Sequence, residues 1–260
     1  MSIEILSPNE LANGVASGVL HRIPDVNIDK GLLADESESF TKALVTVTKG
    51  AMHTAKVTGP LGQEVEQYFG FLGGPCPKTA VFEVLPAAGW KMLPWSSFDP
   101  LTTTTYGVGE LIKTILDAGV QKLLIGCGGS GINDGGAGMA QALGVRLLDA
   151  IGQQIPWGAE GLAKLVRIDM SNLDPRIHDV EFEVACNLNS VLCGPRGISK
   201  IFGPEQGASP QAMQLLTAAF ENYADVIQRN LGIDVRTMPG SGAGGGLGTG
   251  LHVFLKATLS

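Results

Sequence analysis

Residues 126–136 read GCGGSGINDGG, so that glycines surround a serine, an amide and a single carboxylate. A glycine loop of this kind presents backbone N–H groups that bind anionic ligands. The spacing Gly126-x-Gly128-x-x-Gly131 also matches the dinucleotide-binding fingerprint, which joins a strand to a helix and is followed by an acid that binds a ribose hydroxyl. An apolar run precedes these glycines and a second apolar run ends at Asp149, so a nicotinamide or flavin site is the first hypothesis.

The residues between the glycines and the predicted helix argue against a dinucleotide. Asn133 and Asp134 stand where the fingerprint helix should offer bare N–H groups to pyrophosphate, and a carboxylate without a metal repels phosphate. A Walker P-loop is excluded, because no lysine occurs between Lys122 and Lys164. Two interpretations remain for this loop. In the first, the loop binds a polyhydroxylated or carboxylate ligand through Ser130, Asn133 and Asp134, and Asp134 shares a Mg²⁺ ion with that ligand. In the second, the loop is a tight turn and Asp134 caps the helix that follows it.

Three further segments carry candidate ligand groups. The second glycine loop, Gly240–Gly250, permits close approach of either a ligand or a packed helix. The threonines of residues 102–107, TTTTYG, supply either ligand hydroxyls or the cap of a helix. Residues 194–209 contain Arg196 and Gln206 in a segment that is either a solvated loop or part of a site. The four histidines are dispersed, without the spacing of a catalytic triad or a metal site, and none is assigned a catalytic role.

Composition favours a globular protein that binds a small molecule. The 260 residues are 44% hydrophobic and carry a net charge of −7 with no basic block, which argues against nucleic acid and anionic lipid as partners. The first residues, MSIEILSPNE, show no secretion signal, and no run of 18 apolar residues occurs, so a cytoplasmic location is expected. The four cysteines form no Cys-x-x-Cys pair, which disfavours zinc and dithiol redox sites.

Hydrophobic periodicity and turn residues outline an α/β protein. Helices are predicted near residues 8–21, 36–47, 106–118 and 209–230, and strands near residues 52–59, 64–73, 79–85, 122–126 and 179–186. The first three strands are expected to pair antiparallel, and the second glycine loop is expected to lead into a helix. This mixture predicts α/β architecture without a regular six-stranded doubly wound sheet.

Six motifs of the sequence resemble the bacterial type of the glycerate kinase family, also called glycerate 2-kinase. They are VTGPLG (57–62), LTTTTYGVGELI (101–112), IGCGGSGINDGGAGMAQALG (125–144), VACN (184–187), GPRGISKIFGPEQGA (194–208) and PGSGAGGGLGTGL (239–251). The resemblance implies two α/β domains, one of them Rossmann-like and the other inserted into it. It also implies transfer of the γ-phosphoryl group of ATP, with Mg²⁺, to D-glycerate, which gives 2-phosphoglycerate.

Carried over to this chain, the resemblance implies a remnant of the Rossmann-like domain in residues 1–45 and the inserted, glycerate-side α/β domain in residues 46–260. Asp134 and Asn133 are the implied catalytic residues, and no metal ligand is assigned. The implied substrate-binding residues are Gly128, Gly129, Ser130, Thr104, Thr105, Arg196, Gln206, Gly242 and Gly244.

The sequence also departs from the family pattern. The family's Ala-Asp-Gly-Gly-Glu-Gly-Phe is replaced by residues 34–40, ADESESF, and its Cys-Asp by Cys186-Asn187. Compared with the family, the chain is expected to be shortened at both ends, so much of the nucleotide-side domain is expected to be absent. The alternative is therefore a non-catalytic homologue that binds a small hydroxy acid or acts through oligomerisation. An uncovered sheet edge would favour a homodimer or a domain-swapped oligomer.

Overall fold

A computed structural model describes residues 8–30, 40–74, 78–84, 99–128, 131–201 and 209–260. The chain forms two compact units, residues 1–34 and residues 35–260. The assignment of residues 1–45 and 46–260 to two family domains stays a prediction. No helix in the described ranges is both long and apolar enough to cross a membrane.

The described part of the first unit, residues 8–30, contains one helix, α1 (Pro8–Arg22), which confirms the predicted helix near residues 8–21. Proline at its first position fits a helix start, because the N–H that proline lacks has no partner inside the helix there. Leu11, Val15 and Val19 of this helix line a shallow groove together with residues 27–30.

The second unit is built on one six-stranded sheet. Its strands are β1 (Ala51–Thr58), β2 (Glu64–Phe71), β3 (Thr79–Glu83), β4 (Lys122–Cys127), β7 (Glu181–Cys186) and β8 (Thr258–Leu259), in the order β1-β2-β3-β4-β7-β8. The first three strands pair antiparallel, as predicted, and β3, β4, β7 and β8 pair parallel. The mixed sheet confirms the predicted α/β class.

Seven further α-helices of the described chain belong to this second unit. They are α2 (Phe40–Thr48), α3 (Tyr106–Asp117), α4 (Ala137–Ala142), α5 (Ala159–Leu162), α6 (Ile198–Ile201), α7 (Pro210–Leu231) and α8 (Leu247–Leu255), together with a 3-10 helix at Pro175–Asp179. Helix α7 begins after Ser209, whose side chain accepts the Ala212 N–H, and ends at Gly232 in the left-handed conformation. The predicted helix near residues 36–47 is found from Phe40, and residues 36–39 lie outside the described ranges.

Helices cover the two faces of the sheet unequally. Alternate strand residues such as Phe82, Ile125 and Val184 are completely or almost completely buried in a single core with residues of α3, α4, α7 and α8. On the opposite face, α2 packs on β2 and β3, and its Val45 lies against Gly70 so closely that a Cβ there would be 2.1 Å from the Val45 Cγ2. The larger core therefore lies on the side of α3 and α7.

The chain leaves the main sheet after the first glycine loop. Strand β5 (Arg146–Leu148) pairs antiparallel with β6 (Arg167–Asp169) in a separate two-stranded sheet. The strand that pairs parallel with β4 on its other side is β7, which comes later in the chain. A dinucleotide-binding unit needs its second strand in the same parallel sheet, so the dinucleotide hypothesis is wrong. Asp149 instead accepts the N–H groups of Ile151 and Gln153 in an exposed turn.

Candidate active site at the carboxyl ends of the parallel strands

The carboxyl ends of β3, β4 and β7 meet at one edge of the sheet. Glu83 pairs with Gly126, and Gly126 pairs with Ala185 on the next strand. The loop after β4 is the first glycine loop, and helices α3 and α4 begin at the same edge because each follows a strand of the parallel part. In parallel α/β sheets this edge is where ligands bind.

The two glycine loops cross each other at this edge. The Gly135 N–H donates to the Gly245 carbonyl at 3.2 Å. A Cβ on Gly250 would lie 2.8 Å from the Gly136 Cα, and a Cβ on Gly245 would lie 1.5 Å from the Ile132 oxygen. Gly245 also has a φ of +69°, which favours glycine. At these positions, therefore, glycine permits backbone to pack on backbone, as the packing interpretation of the second loop predicted.

Gly242 and Gly244 of the second loop are also in close contact with neighbouring segments. A Cβ on Gly242 would lie 2.4 Å from the Ile198 Cγ2, and a Cβ on Gly244 would lie 2.7 Å from the Cys127 sulfur. The second loop therefore contacts both the end of β4 and the start of α6. Contact of Gly242 and Gly244 with substrate stays a prediction.

Asp134 is the centre of the hydrogen-bond network in the first glycine loop. Its side chain is completely buried. The Oδ2 atom accepts the Thr105 N–H at 2.7 Å, the Thr105 hydroxyl at 2.9 Å and the Gly138 N–H at 3.0 Å. The Oδ1 atom accepts the Gly136 N–H at 3.0 Å. The carboxylate therefore joins the start of α3 to the start of α4.

Burial and hydrogen bonding act in opposite directions on the Asp134 carboxyl. Burial raises its pKa above the ordinary value of 3.8, and the N–H groups of Thr105, Gly138 and Gly136 partly offset this rise. Asn133, the neighbouring implied catalytic residue, is 4% exposed, and its N–H donates to the Thr103 hydroxyl at 3.2 Å. Both residues thus belong to a buried polar layer beneath the loop surface.

Thr104 and Thr105 lie in the same buried layer. Thr105 is the residue before α3, but its side chain makes no capping hydrogen bond, so the predicted capping role is wrong for this threonine. Its hydroxyl accepts the Met139 N–H instead. Thr104 accepts the N–H of Tyr106 with its hydroxyl at 3.1 Å. The role of the two threonines in substrate binding stays a prediction.

The other implied site residues are placed as follows. Gly128 is half-buried at the end of β4, and Arg196 is exposed in the turn before α6. Gly129, Ser130 and Gln206 lie outside the described residues. No group of three His, Cys, Asp or Glu side chains able to hold a metal ion occurs in the ranges that the structure describes.

Sequence reasoning missed the contact between the first glycine loop and helix α7. A Cβ on Gly135 would lie 2.6 Å from the Tyr223 Cε1, so the tyrosine ring lies directly against the loop. Tyr223 lies on the face of α7 that apolar spacing in residues 209–230 indicates, and its side chain is completely buried. Nothing in the spacing of the sequence pairs this residue with Gly135.

Comparison with known proteins agrees with the motifs and with the fold. The model of the glycerate kinase family matches residues 3–260. The chain is 43% identical to the glycerate kinase of Haemophilus influenzae and to the glycerate 2-kinase of Escherichia coli, in each case over 98% of this chain and 67% of the relative. A crystal structure described as glycerate kinase 2 from Salmonella typhimurium LT2 superposes with a TM-score of 0.87 at 43% identity, over 98% of this chain and 68% of that one.

The chain thus spans about two thirds of the length of these relatives. The family model covers nearly every residue, and the solved structure shares the mixed sheet and its helices. The chain therefore belongs to the glycerate kinase family.

Proposed function

We propose that the protein transfers the γ-phosphoryl group of ATP to D-glycerate and produces 2-phosphoglycerate and ADP. The observation that carries this proposal is the crossing of the two glycine loops at the carboxyl edge of the parallel strands, in a chain that belongs to the glycerate kinase family. In the reaction, the 2-hydroxyl oxygen of glycerate forms a bond to the γ-phosphorus, the bond from that phosphorus to the β,γ-bridging oxygen breaks, and the hydroxyl proton is released. Such transfer depends mainly on positioning and charge stabilisation.

In this proposal Asp134 acts by positioning. Its carboxylate is buried and accepts five hydrogen bonds from the loops around it, which holds the first glycine loop against the start of α3. The catalytic role implied for Asp134 and Asn133 is thus proposed in a specific form: both residues fix the backbone that contacts substrate. A neutral amide such as that of Asn133 does not take up a proton near pH 7, so it is not proposed as the base.

Arg196 is the residue proposed to bind the negative charge of the substrate. Its guanidinium is exposed, and its turn leads into α6, whose Ile198 contacts Gly242 of the second loop. Guanidinium groups bind carboxylate and phosphate through paired hydrogen bonds, which suits both glycerate and its phosphorylated product. Gly128, half-buried beside the loop crossing, is proposed to contact substrate through its backbone.

Mg²⁺ is proposed as a companion of ATP and has no assigned protein ligand. The buried Asp134 carboxylate is occupied by donors of its own loops, so it does not fit a metal ligand. In kinases, Mg²⁺ usually retains several waters and is held largely by the substrate phosphates. No step of the proposal is therefore assigned to a protein-held metal.

A coupled assay of ADP formation from D-glycerate and Mg·ATP tests the proposed function. We expect turnover above two controls, the reaction without glycerate and the heat-inactivated protein. Product analysis by NMR should identify 2-phosphoglycerate. Absence of glycerate-dependent ADP formation from folded protein would overturn the proposal.

No observation on the described residues favours the non-catalytic alternative. That alternative requires stabilisation of the protein by D-glycerate without stabilisation by Mg·ATP, which a thermal-shift experiment measures. A cytoplasmic location and a homodimer or domain-swapped oligomer stay predictions. Light scattering at micromolar concentration checks the oligomeric state.

A further inference from the structure

The hydroxyl of Tyr223 is a buried donor that the fold leaves unused. Tyr223 is completely buried on α7, and its Oη has no hydrogen-bond partner in the part of the chain that the structure describes. Buried polar groups nearly always have a partner, because an unpaired one loses its hydrogen bonds to water without replacement. An unpaired hydroxyl at this position therefore needs an explanation.

The position of the ring connects this hydroxyl to the proposed site. The Tyr223 ring lies against Gly135, whose N–H is bonded to Gly245 of the second loop. Gly135 is also so close to Gly246 that a Cβ on Gly246 would lie 2.9 Å from the Gly135 Cα. The glycine thus contacts both the tyrosine ring and the second loop. A displacement of Gly135 at the loop crossing would therefore change its contact with the ring.

A buried acceptor with spare capacity lies next to the same glycine. Each carboxylate oxygen can accept about two hydrogen bonds. The Asp134 Oδ2 atom accepts three donors within 3.0 Å, whereas Oδ1 accepts only the Gly136 N–H among the residues that the structure describes. The charge of Asp134 acts on the tyrosine, since burial and then this charge raise the pKa of Tyr223. The ring of the unpaired donor therefore lies against Gly135, and the acceptor with spare capacity belongs to the preceding residue of the chain.

We propose that Tyr223 is a positioning residue whose hydroxyl donates to Asp134 Oδ1 when the loop crossing binds substrate. The inference rests on the proposed function. In the free protein the hydroxyl is unpaired, and the substrate-bound conformation of residues 134–136 supplies its acceptor. The hydrogen bond then stabilises the substrate-bound conformation relative to the free one. Tyr223 itself contacts the loop and no reacting atom.

The variant Tyr223→Phe tests this inference, because it removes the hydroxyl and retains the ring against Gly135. We expect the Tm of the free protein to rise by roughly 2–4 °C, since an unpaired buried hydroxyl is lost. We expect kcat/KM for D-glycerate to fall roughly tenfold, the effect of one hydrogen bond to a charged group. The rise in Tm upon adding D-glycerate and Mg·ADP should also be smaller than in the wild type.

Tyr68→Phe is the matched control, because it also removes a tyrosine hydroxyl, but one that has a hydrogen-bond partner. The Tyr68 hydroxyl lies 2.5 Å from the Glu83 carboxylate, so its loss should lower the Tm of the free protein. A direct readout is the ¹³Cζ NMR resonance of Tyr223, which should shift when D-glycerate and Mg·ADP are added. The three tyrosines of the chain are few enough to assign with single phenylalanine variants.

The outcomes separate this inference from the proposed function. If the wild type turns over D-glycerate and Tyr223→Phe has the same kcat/KM and the same ligand-induced rise in Tm, the inference is wrong and the proposed function stands. If the folded wild type neither turns over D-glycerate nor is stabilised by it, both are overturned. A lower Tm of free Tyr223→Phe would also contradict the inference, since it would show that the hydroxyl already has a partner.

Discussion

The Thr105 hydroxyl joins Asp134 to the first turn of α4: it donates to the Asp134 Oδ2 at 2.9 Å and accepts the Met139 N–H at 2.9 Å. The Thr105 N–H donates to the same oxygen at 2.7 Å. Thr105 and Asp134 therefore bind each other through two hydrogen bonds in a region without solvent. The start of α3, the first glycine loop and the start of α4 are consequently held as one structure.

Removal of the Asp134 carboxylate should strongly destabilise the fold. Asp134→Ala leaves the N–H groups of Thr105, Gly136 and Gly138 without their acceptor inside the protein. We expect the free energy of unfolding to fall by roughly 3–5 kcal/mol, measured by urea denaturation. The control Asp149→Ala removes a carboxylate that accepts two N–H groups in an exposed turn, and it should cost only about 1 kcal/mol. Equal losses in both variants would contradict the central role of Asp134.

Substitution at the loop crossing should separate steric contact from backbone conformation. Gly245 and Gly119 both have a φ of +69°, but only Gly245 meets another backbone at the position of a Cβ. Gly119→Ala should cost about 1–2 kcal/mol for the left-handed conformation alone. Gly245→Ala should cost more than about 4 kcal/mol, because its Cβ would lie 1.5 Å from the Ile132 oxygen. Thermal unfolding of both variants measures the difference, and similar costs would show that the loops do not pack as described.

Loss of Arg196 should weaken substrate binding and leave stability unchanged. The side chain is exposed, so we expect the Tm of Arg196→Ala to stay close to that of the wild type. The KM for D-glycerate should rise roughly tenfold or more, about 1.4 kcal/mol of lost binding. Arg229→Ala on α7 is the control, since this exposed arginine donates to the Asp225 carbonyl and is not assigned to the site. An unchanged KM in Arg196→Ala would remove Arg196 from the proposed site.

Stability at acidic pH should depend on Asp174. This carboxylate accepts the Arg176 guanidinium and the Arg176 N–H, and chiefly the guanidinium lowers its pKa below the ordinary value of 3.8. The folded protein stabilises the charged form of Asp174 more than the unfolded chain does. The contribution of this charge to the stability of the fold is therefore complete above pH 3.8, and it is lost as the pH falls through the lowered pKa of the folded protein.

The variant Asp174→Asn retains a capping oxygen but has no charge. The stability advantage of the wild type over this variant should therefore be largest near neutral pH and should shrink as the pH falls from neutral to values below 3.8. Urea denaturation across this range measures the advantage. An advantage that does not change with pH would show that the charge of Asp174 makes no contribution.

Local patterns predicted the elements that carry strong sequence signals. The apolar face of α7, the alternating residues of β1 and β2, and the apolar run of β4 all correspond to observed elements. The family motifs also indicated the loops that form the candidate site. These signals lie within short windows of sequence, where spacing determines which face of a helix or strand is buried.

Contacts between distant segments could not be predicted in the same way. The burial of Asp134 depends on Thr105. The backbone of Ile132 leaves no room for a Cβ on Gly245, and the backbone of Gly135 leaves little room for one on Gly246. The same holds for Tyr223, which a pattern identifies as buried without identifying Gly135 as its neighbour. Sequence alone therefore located the glycine loops but did not show that they pack on each other.

The crossing of the glycine loops also sets an order of events during synthesis. Gly135 and Gly136 are translated long before their partners Gly245 and Gly250, and the contacts between them join distant parts of the chain. A ribosome-bound chain that ends before the second loop thus has the residues of the first loop without the backbone that packs on them. Because such long-range contacts form late in folding, a ligand that needs the crossing cannot assist the early folding of the nascent chain.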